Sequence, residues 1–207
     1  MPFAIVIQPP TPPDPQPDSE LEPLTRMQVL AAMGVTAVLL LLISKAWLYF
    51  EPAGLLPLRL SLRDGLLGLG LGLSITLASG VVYRLWPAYR HSADIYLSMV
   101  LQPLQWPDLI WLGLLPGLSE ELLFRGVMLP AIGLNALGIM VSAASFGVLH
   151  LSSLQQWNYV AWATAIGLVL AIAAVLTGNL LVPVVAHTVT NLASSVVWKL
   201  RQQSIPA

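Results

Sequence analysis

Three charged side chains lie close together in an otherwise apolar part of the chain. They are Glu120, Glu121 and Arg125, in the stretch LLPGLSEELLFRG. A charge at the middle of a bilayer costs about 2.5–3.5 kcal/mol on insertion scales, so such groups must be paired or functional. Glu121 and Arg125 are four residues apart and can pair on one helix face. Glu120 is rotated by about 100° from Glu121, which leaves one carboxylate free to act as a base or a metal ligand.

Two histidines and an asparagine lie in apolar segments further along the chain. His150 ends the run AASFGVLH, one turn after Phe146, and His187 lies in PVVAHTVTN, one turn before Asn191. A carboxylate and two imidazoles can bind zinc with an open position. They can also act without metal, the carboxylate taking a proton from a water that attacks an amide carbonyl, while the Asn191 amide donates to the developing oxyanion. These groups favour hydrolysis of a peptide near the membrane.

Other interpretations of the same residues stay open. The Glu–Glu–Arg trio can be a buried ion cluster that fixes helix packing. The chain can be a non-proteolytic membrane scaffold or immunity protein that binds a partner, or a small transporter whose Glu and His side chains relay protons. The absence of Cys excludes a thiolate nucleophile and Cys-bound metal. A net charge of −1 removes the electrostatic case for nucleic-acid binding.

The composition excludes a typical water-soluble domain and indicates a membrane or a very large core. Only 9% of the 207 residues are charged, and 57% are hydrophobic, whereas an ordinary soluble domain has roughly 25% charged residues. The 73 residues from Gly126 to Trp198 contain no Asp, Glu, Lys or Arg. We therefore predict an all-α fold, a polytopic transmembrane bundle of about six to eight helices with a polar active-site cavity inside the membrane.

Apolar runs between polar or Pro/Gly breaks predict where these helices lie. A polar connection is expected at 90–94, and Pro103 and Pro107 should kink or split the segment around them. Gly68 and Gly72 lie four residues apart on one helix face and predict close helix packing. The predicted segments are 27–49, 66–86, 95–115, 119–134, 137–153, 159–177 and 180–198.

Local signals also predict where the helix with the two glutamates begins. Pro116 and Gly117 should break any preceding helix, and Ser119 is suited to cap the next one. Glu120 and Glu121 would then occupy a first turn, where the helix macrodipole favours negative charge.

The chain is predicted to have two regions. Residues 1–26 form a flexible, Pro-rich, acidic tail, and residues 27–201 form one transmembrane domain. The part of that domain that bears the motifs covers about 105–198.

The order and spacing of these polar residues resemble those of a known family. Glu120-Glu121-x-x-x-Arg125, Phe146-x-x-x-His150 and His187-x-x-x-Asn191 follow one another on three apolar segments. They resemble the three motifs of the CPBP family, the CAAX-protease and bacteriocin-processing intramembrane proteases, also called the Abi family. All seven motif positions match.

The resemblance implies an intramembrane endopeptidase with its site in a cavity open to lipid and to water. Glu120 would activate water as general base together with His150, while His187 and Asn191 would hold the oxyanion. The supporting residues would be Glu121, Arg125 and Phe146.

The family resemblance leaves two mechanisms open, one without metal and one with zinc bound by Glu120, His150 and His187. It implies a membrane-associated protein or peptide as substrate, such as a prenylated CaaX-type or bacteriocin-like protein, and surrounding membrane lipid as the other partner. A short chain with no targeting signal fits a prokaryotic inner membrane. No oligomeric state is predicted.

Overall fold

The computed structural model describes residues 24–51, 54–151 and 153–203, and the predicted tail lies outside them except for its last three residues. Within these ranges the chain forms helices and no strand. The helices are α1 (Arg26–Phe50), α2 (Leu62–Leu85), α3 (Pro87–Leu101), α4 (Leu109–Glu121), a π-helical segment (Leu122–Met128), α5 (Leu129–Ile132), α6 (Ala136–Leu149), α7 (Trp157–Thr177) and α8 (Leu181–Gln203), with 3-10 turns at Trp106–Asp108 and Leu154–Gln156.

Four of these helices, α1, α2, α7 and α8, are long and apolar enough to cross a membrane. Much of their apolar surface faces away from the protein: Leu77 of α2 is 73% exposed and Leu176 of α7 is 80% exposed. Apolar faces of this extent are stable when lipid covers them. The predicted all-α membrane bundle is confirmed, and the chain is an integral membrane protein.

The helix that carries the glutamates begins earlier than predicted. α4, the π segment and α5 form one continuous helix from Leu109 to Ile132. The predicted break at Pro116 and Gly117 was wrong, because Pro116 lies inside α4. A proline ring removes one intrahelical hydrogen bond, and here the surrounding helices hold the segment in place despite that loss.

Ser119 does not cap a helix. Its hydroxyl donates to the Leu115 carbonyl one turn earlier, at 2.7 Å, as a serine inside a helix does. Glu120 and Glu121 therefore lie at the junction of α4 with the π segment instead of in a first turn. The predicted support from the helix macrodipole was wrong, since that effect is confined to the first and last turns.

The polar connection predicted at 90–94 is also helical, because α3 begins at Pro87, with only Trp86 between it and the end of α2. The other end of α3, Leu101, packs with Val29 at the start of α1 and Trp198 near the end of α8. Both ends of α3 therefore lie at the same end of the bundle. The predicted split at Pro103 is confirmed, since residues 102–105 are not helical.

Small residues bring the helices of the site together. A Cβ on Gly72 of α2 would lie 2.6 Å from the Ala186 carbonyl of α8, and Gly68 is equally tight, which confirms the predicted packing. On α4, a Cβ at Gly117 would collide with the Thr188 side chain of α8. α8 is therefore held closely between α2 and α4.

A buried asparagine ties together two loops at the end of the bundle opposite α3. Asn179 is fully buried; its side-chain oxygen accepts from the backbone N–H groups of Arg59 and Leu181 at 2.9 and 3.1 Å. Its amide nitrogen donates to the Arg59 carbonyl and to the Asp64 carboxylate at 2.8 and 2.7 Å. All four hydrogen-bonding positions of the side chain are thus used.

Candidate active site

The centre of the bundle holds a buried ion pair. Glu121 and Arg125 are both 0% exposed, and Arg125 Nη1 donates to Glu121 Oε1 at 2.8 Å. Arg125 Nη2 donates to the Gly167 carbonyl of α7 at 3.0 Å, and the guanidinium lies 4.5 Å from the centre of the Phe146 ring. The predicted pairing is confirmed. Arg125 therefore connects the continuous helix from Leu109 to Ile132, called the site helix below, to two neighbours. It reaches α7 through the hydrogen bond to Gly167 and α6 through the ring of Phe146.

His187 is held by the same carboxylate. Its Nδ1 lies 2.8 Å from Glu121 Oε1, the oxygen that also accepts from Arg125. An ionised carboxylate only accepts hydrogen bonds, so Nδ1 of His187 carries a proton. The other ring nitrogen, Nε2, is left for the chemistry of the cavity.

His150 lies just after the last residue of α6. Its Nδ1 is 2.9 Å from the Phe146 carbonyl oxygen. A carbonyl is an acceptor, so Nδ1 donates and, in the neutral ring, Nε2 keeps its lone pair. The ring lies between Phe146, at 4.8 Å, and the stacked pair Tyr96 and Tyr159, at 6.3 and 6.2 Å between centroids. This packing fixes the orientation of the imidazole.

Glu120 differs from its neighbour because it is not part of the ion pair. It is 7% exposed, and its Oε2 has no hydrogen-bond partner among the described residues. It lines a cavity of 390 Å³ enclosed mainly by α2, α3, α4, α7 and α8. The predicted site residues that line the same cavity are Glu120, Phe146, His150, His187 and Asn191.

Asn191 approaches the site helix from α8. Its Nδ2 lies 3.5 Å from the Leu112 carbonyl oxygen of α4. Asn191 and His187 are one turn apart, so both project from one face of α8 towards the cavity.

Some residues around the cavity carry no sequence signal. Tyr96 of α3 and Tyr159 of α7 stack at 4.4 Å and form an aromatic wall beside His150. Ser142 of α6 donates to the Phe124 carbonyl of the π segment at 2.9 Å and so braces the segment. Such contacts join residues distant in sequence, and neither periodicity nor a motif predicts them.

A zinc site requires three or four donor side chains that converge on one point. In the described ranges no three His, Asp or Glu side chains come together closely enough to hold a metal ion. Glu120, His150 and His187 share the cavity without converging as tetrahedral zinc ligands do. The arrangement of these side chains does not fit a zinc site.

Chemically, the cavity combines a carboxylate with a free oxygen, two imidazoles with Nε2 available and a side-chain amide. A nearby ion pair fixes one imidazole and the backbone fixes the other. A base, a proton carrier and hydrogen-bond donors around one cavity are what the hydrolysis of an unactivated carbonyl compound requires.

Comparisons with known proteins agree with the motifs. Residues 102–193 match the family model described as type II CAAX prenyl endopeptidase Rce1-like. This stretch contains all seven motif residues, and the resemblance to the CPBP family of CAAX proteases is confirmed. The uncharacterized protein YpbD of Bacillus subtilis (strain 168) is 30% identical over 124 residues, which are 60% of this chain. The match spans 63% of the length of that relative. No solved structure matches the chain.

Proposed function

We propose, from the match of residues 102–193 to the Rce1-like endopeptidases, that this chain is an intramembrane endopeptidase that hydrolyses a peptide bond by general-base catalysis. The observation that carries the proposal is the pairing pattern of the two adjacent glutamates. Glu121 Oε1 accepts from both Arg125 and His187, and Glu121 does not line the cavity. Glu120 lies outside the ion pair and lines the cavity together with His150 and Asn191. An ion cluster that served packing alone would not need the second carboxylate.

In the proposed first step, Glu120 removes a proton from a water molecule, and His150 Nε2 accepts a hydrogen bond from the same water. The water oxygen forms a bond to the peptide carbonyl carbon, and the carbonyl oxygen becomes an oxyanion. The Asn191 amide donates to this oxygen, and so does Nε2 of His187 when the imidazole is protonated beside Glu121.

In the second step the peptide C–N bond breaks. Glu120 returns the proton to the leaving nitrogen and is again a carboxylate, so that one peptide bond and one water become a carboxylic acid and an amine, which ionise to a carboxylate and an ammonium group. The ion pair of Glu121 with Arg125 acts through His187, because it keeps the Nδ1 proton in place and stabilises the imidazolium.

For the substrate, we propose a membrane-associated protein or peptide, of the prenylated CaaX type or bacteriocin-like. The apolar and aromatic walls of the cavity fit an apolar chain, and the matching family description names a prenyl endopeptidase. The bacterial relative supports a prokaryotic inner membrane as the location. Lipid is then the surrounding partner, and no nucleic acid is expected to bind.

Of the two mechanisms that the family resemblance leaves open, we propose the metal-independent one. The argument is the arrangement of Glu120, His150 and His187, which do not converge as zinc ligands. The test is the metal content of purified active protein together with its cleavage rate before and after a zinc chelator. Stoichiometric zinc with chelator-sensitive cleavage would contradict the proposal.

The protease proposal is tested with purified protein in detergent and a library of farnesylated and unmodified CaaX-type peptides. We expect cleavage by the wild type and a loss of about 100-fold or more in Glu120→Gln and in His150→Ala, since general-base catalysis contributes 10²–10⁴-fold. Arg90→Ala, on an exposed part of α3, is the control and should cleave normally. Full cleavage by folded Glu120→Gln protein would refute Glu120 as the base, whereas a folded wild type that cleaves no peptide would favour a scaffold or immunity protein.

A further inference from the structure

Pro116 lies inside the site helix, one turn before Glu120, and is not part of the three motifs. In a regular α-helix, the N–H of residue 116 would donate to the carbonyl of Leu112. Proline has no N–H, and its ring pushes against the carbonyl four residues earlier. The Leu112 carbonyl therefore lacks the N–H donor that residue 116 supplies in a regular helix.

Asn191 uses this freed carbonyl. Its Nδ2 lies 3.5 Å from the Leu112 oxygen, and both residues, like Pro116, line the cavity. A carbonyl can only accept, so the nitrogen end of the amide must face it; the flipped amide would oppose two oxygens. With one N–H directed at Leu112, the second N–H of the same nitrogen stays available to a ligand in the cavity.

We propose that Pro116 is a positioning residue for Asn191: the proline frees the Leu112 carbonyl, and that carbonyl sets which end of the amide faces the cavity. The inference rests on the proposed function, in which Asn191 donates to the oxyanion. Pro116 itself touches no reacting atom in this scheme. It acts through Leu112 and Asn191 on the transition state.

Restoring the missing N–H separates this role from a structural one. In Pro116→Ala, the new N–H donates to the Leu112 carbonyl and draws it back towards the helix axis. Alanine also favours a helix more than proline does, so the thermal midpoint should stay level or rise. A purely structural proline would show the opposite pattern, with lower stability and unchanged chemistry per folded molecule.

The experiment measures kcat and KM of the wild type and of Pro116→Ala, Asn191→Ala and the double variant, with the peptide of the library that is cleaved fastest. Losing one oxyanion donor costs about 10²–10³-fold in kcat. We expect about 10-fold for Pro116→Ala, with KM within twofold. The double variant should match Asn191→Ala, because the proline acts only through the amide. Pro87→Ala, which restores an N–H at the exposed start of α3, is the matched control and should leave kcat unchanged.

Two results would overturn the inference. One is an unchanged kcat in Pro116→Ala, and the other is a double variant in which the two losses multiply. If the wild type cleaves no peptide, the proposed function fails and the positioning claim is tested by stability. The same four proteins are then compared in thermal unfolding, where Asn191→Ala should lower the midpoint in the wild-type background and not in Pro116→Ala. Equal shifts in both backgrounds would refute the contact.

Discussion

Replacing Glu121 with Gln should destabilise the fold strongly, although the new side chain has the same size. Glu121 and Arg125 are fully buried, and one oxygen, Oε1, accepts from both Arg125 and His187 at 2.8 Å. The substitution removes the negative charge opposite a buried guanidinium, whose other contacts are the Gly167 carbonyl and an aromatic face. Breaking a buried pair by removing one partner costs about 3–5 kcal/mol. At roughly 2–4 °C per kcal/mol for a chain of this size, the thermal midpoint should fall by roughly 6–20 °C.

Glu120→Gln is the matched control, because it makes the same chemical change one residue earlier. Glu120 has no part in the ion pair, and its Oε2 has no partner among the described residues. We expect its midpoint to stay within about 2 °C of the wild type, as for a substitution that breaks no buried pair. The peptide-cleaving rate should nevertheless fall by about 10²–10⁴-fold.

The assay is thermal unfolding of both variants in the same detergent, followed by fluorescence of the native tryptophans, beside the cleavage assay. A fall of less than about 2 °C in Glu121→Gln would mean that the pair does not hold the helices together. Equal destabilisation by both variants would refute the division of the two carboxylates between structure and catalysis.

Three further predictions concern packing, charge and the loops. Gly72→Ala should lower stability by about 1–3 kcal/mol in thermal unfolding, because its Cβ would meet a carbonyl of α8 at 2.6 Å; Gly70→Ala, with open space around it, is the control and should not. A hydrogen bond from the Arg26 guanidinium, and to a smaller extent one from the backbone N–H of Gln105, lowers the pKa of Asp108 from 3.8 to about 2. The ionised carboxylate therefore stabilises the fold above pH 3.8, and this stabilisation is lost as the pH falls through about 2. Unfolding midpoints measured across this range should fall less in Asp108→Asn than in the wild type, and parallel curves would contradict the assignment. Asn179→Ala should lower the free energy of unfolding by about 3 kcal/mol, because buried polar groups of the two loops lose their hydrogen-bond partner. Cleavage per folded molecule should stay unchanged, and a loss of cleavage at full stability would contradict this structural role.

The chemistry of the site was accessible from sequence because it depends on spacing along single helices. The four-residue separation of Glu121 from Arg125 predicted their pairing, and the rotation of Glu120 predicted that it would be left out. The small residues Gly68 and Gly72 predicted close packing for the same reason. Each of these inferences requires only the periodicity of one helix and the composition around it.

The inferences that failed depended on what surrounds a helix. Judged from its neighbours in sequence, Pro116 predicts the end of a helix, because a proline inside a helix loses a backbone hydrogen bond. The packing of α4 against α8 offsets this loss and keeps the helix continuous. The partner of His187 and the aromatic wall of Tyr96 and Tyr159 join segments far apart in the chain. Local sequence preferences do not predict such contacts. The predicted first-turn position of the two glutamates was wrong for the same reason, because it depended on a helix break at Pro116.

Irregularities of the site helix give its neighbours points of attachment. The Leu112 carbonyl faces Asn191, the Phe124 carbonyl accepts from Ser142, and the Gly126 carbonyl accepts from the backbone N–H of Leu56 at 2.9 Å. Pro116 accounts for the first, since it supplies no N–H to Leu112, and the second and third lie in the π segment. In a regular helix the Leu112 carbonyl would pair with the N–H of residue 116. In the π segment the Phe124 carbonyl accepts from the backbone N–H of Leu129 and from the Ser142 hydroxyl together. The backbone of one helix thus fixes an amide of α8, a hydroxyl of α6 and a loop around Glu120, Glu121 and Arg125, which is the rigidity that a preorganised site requires.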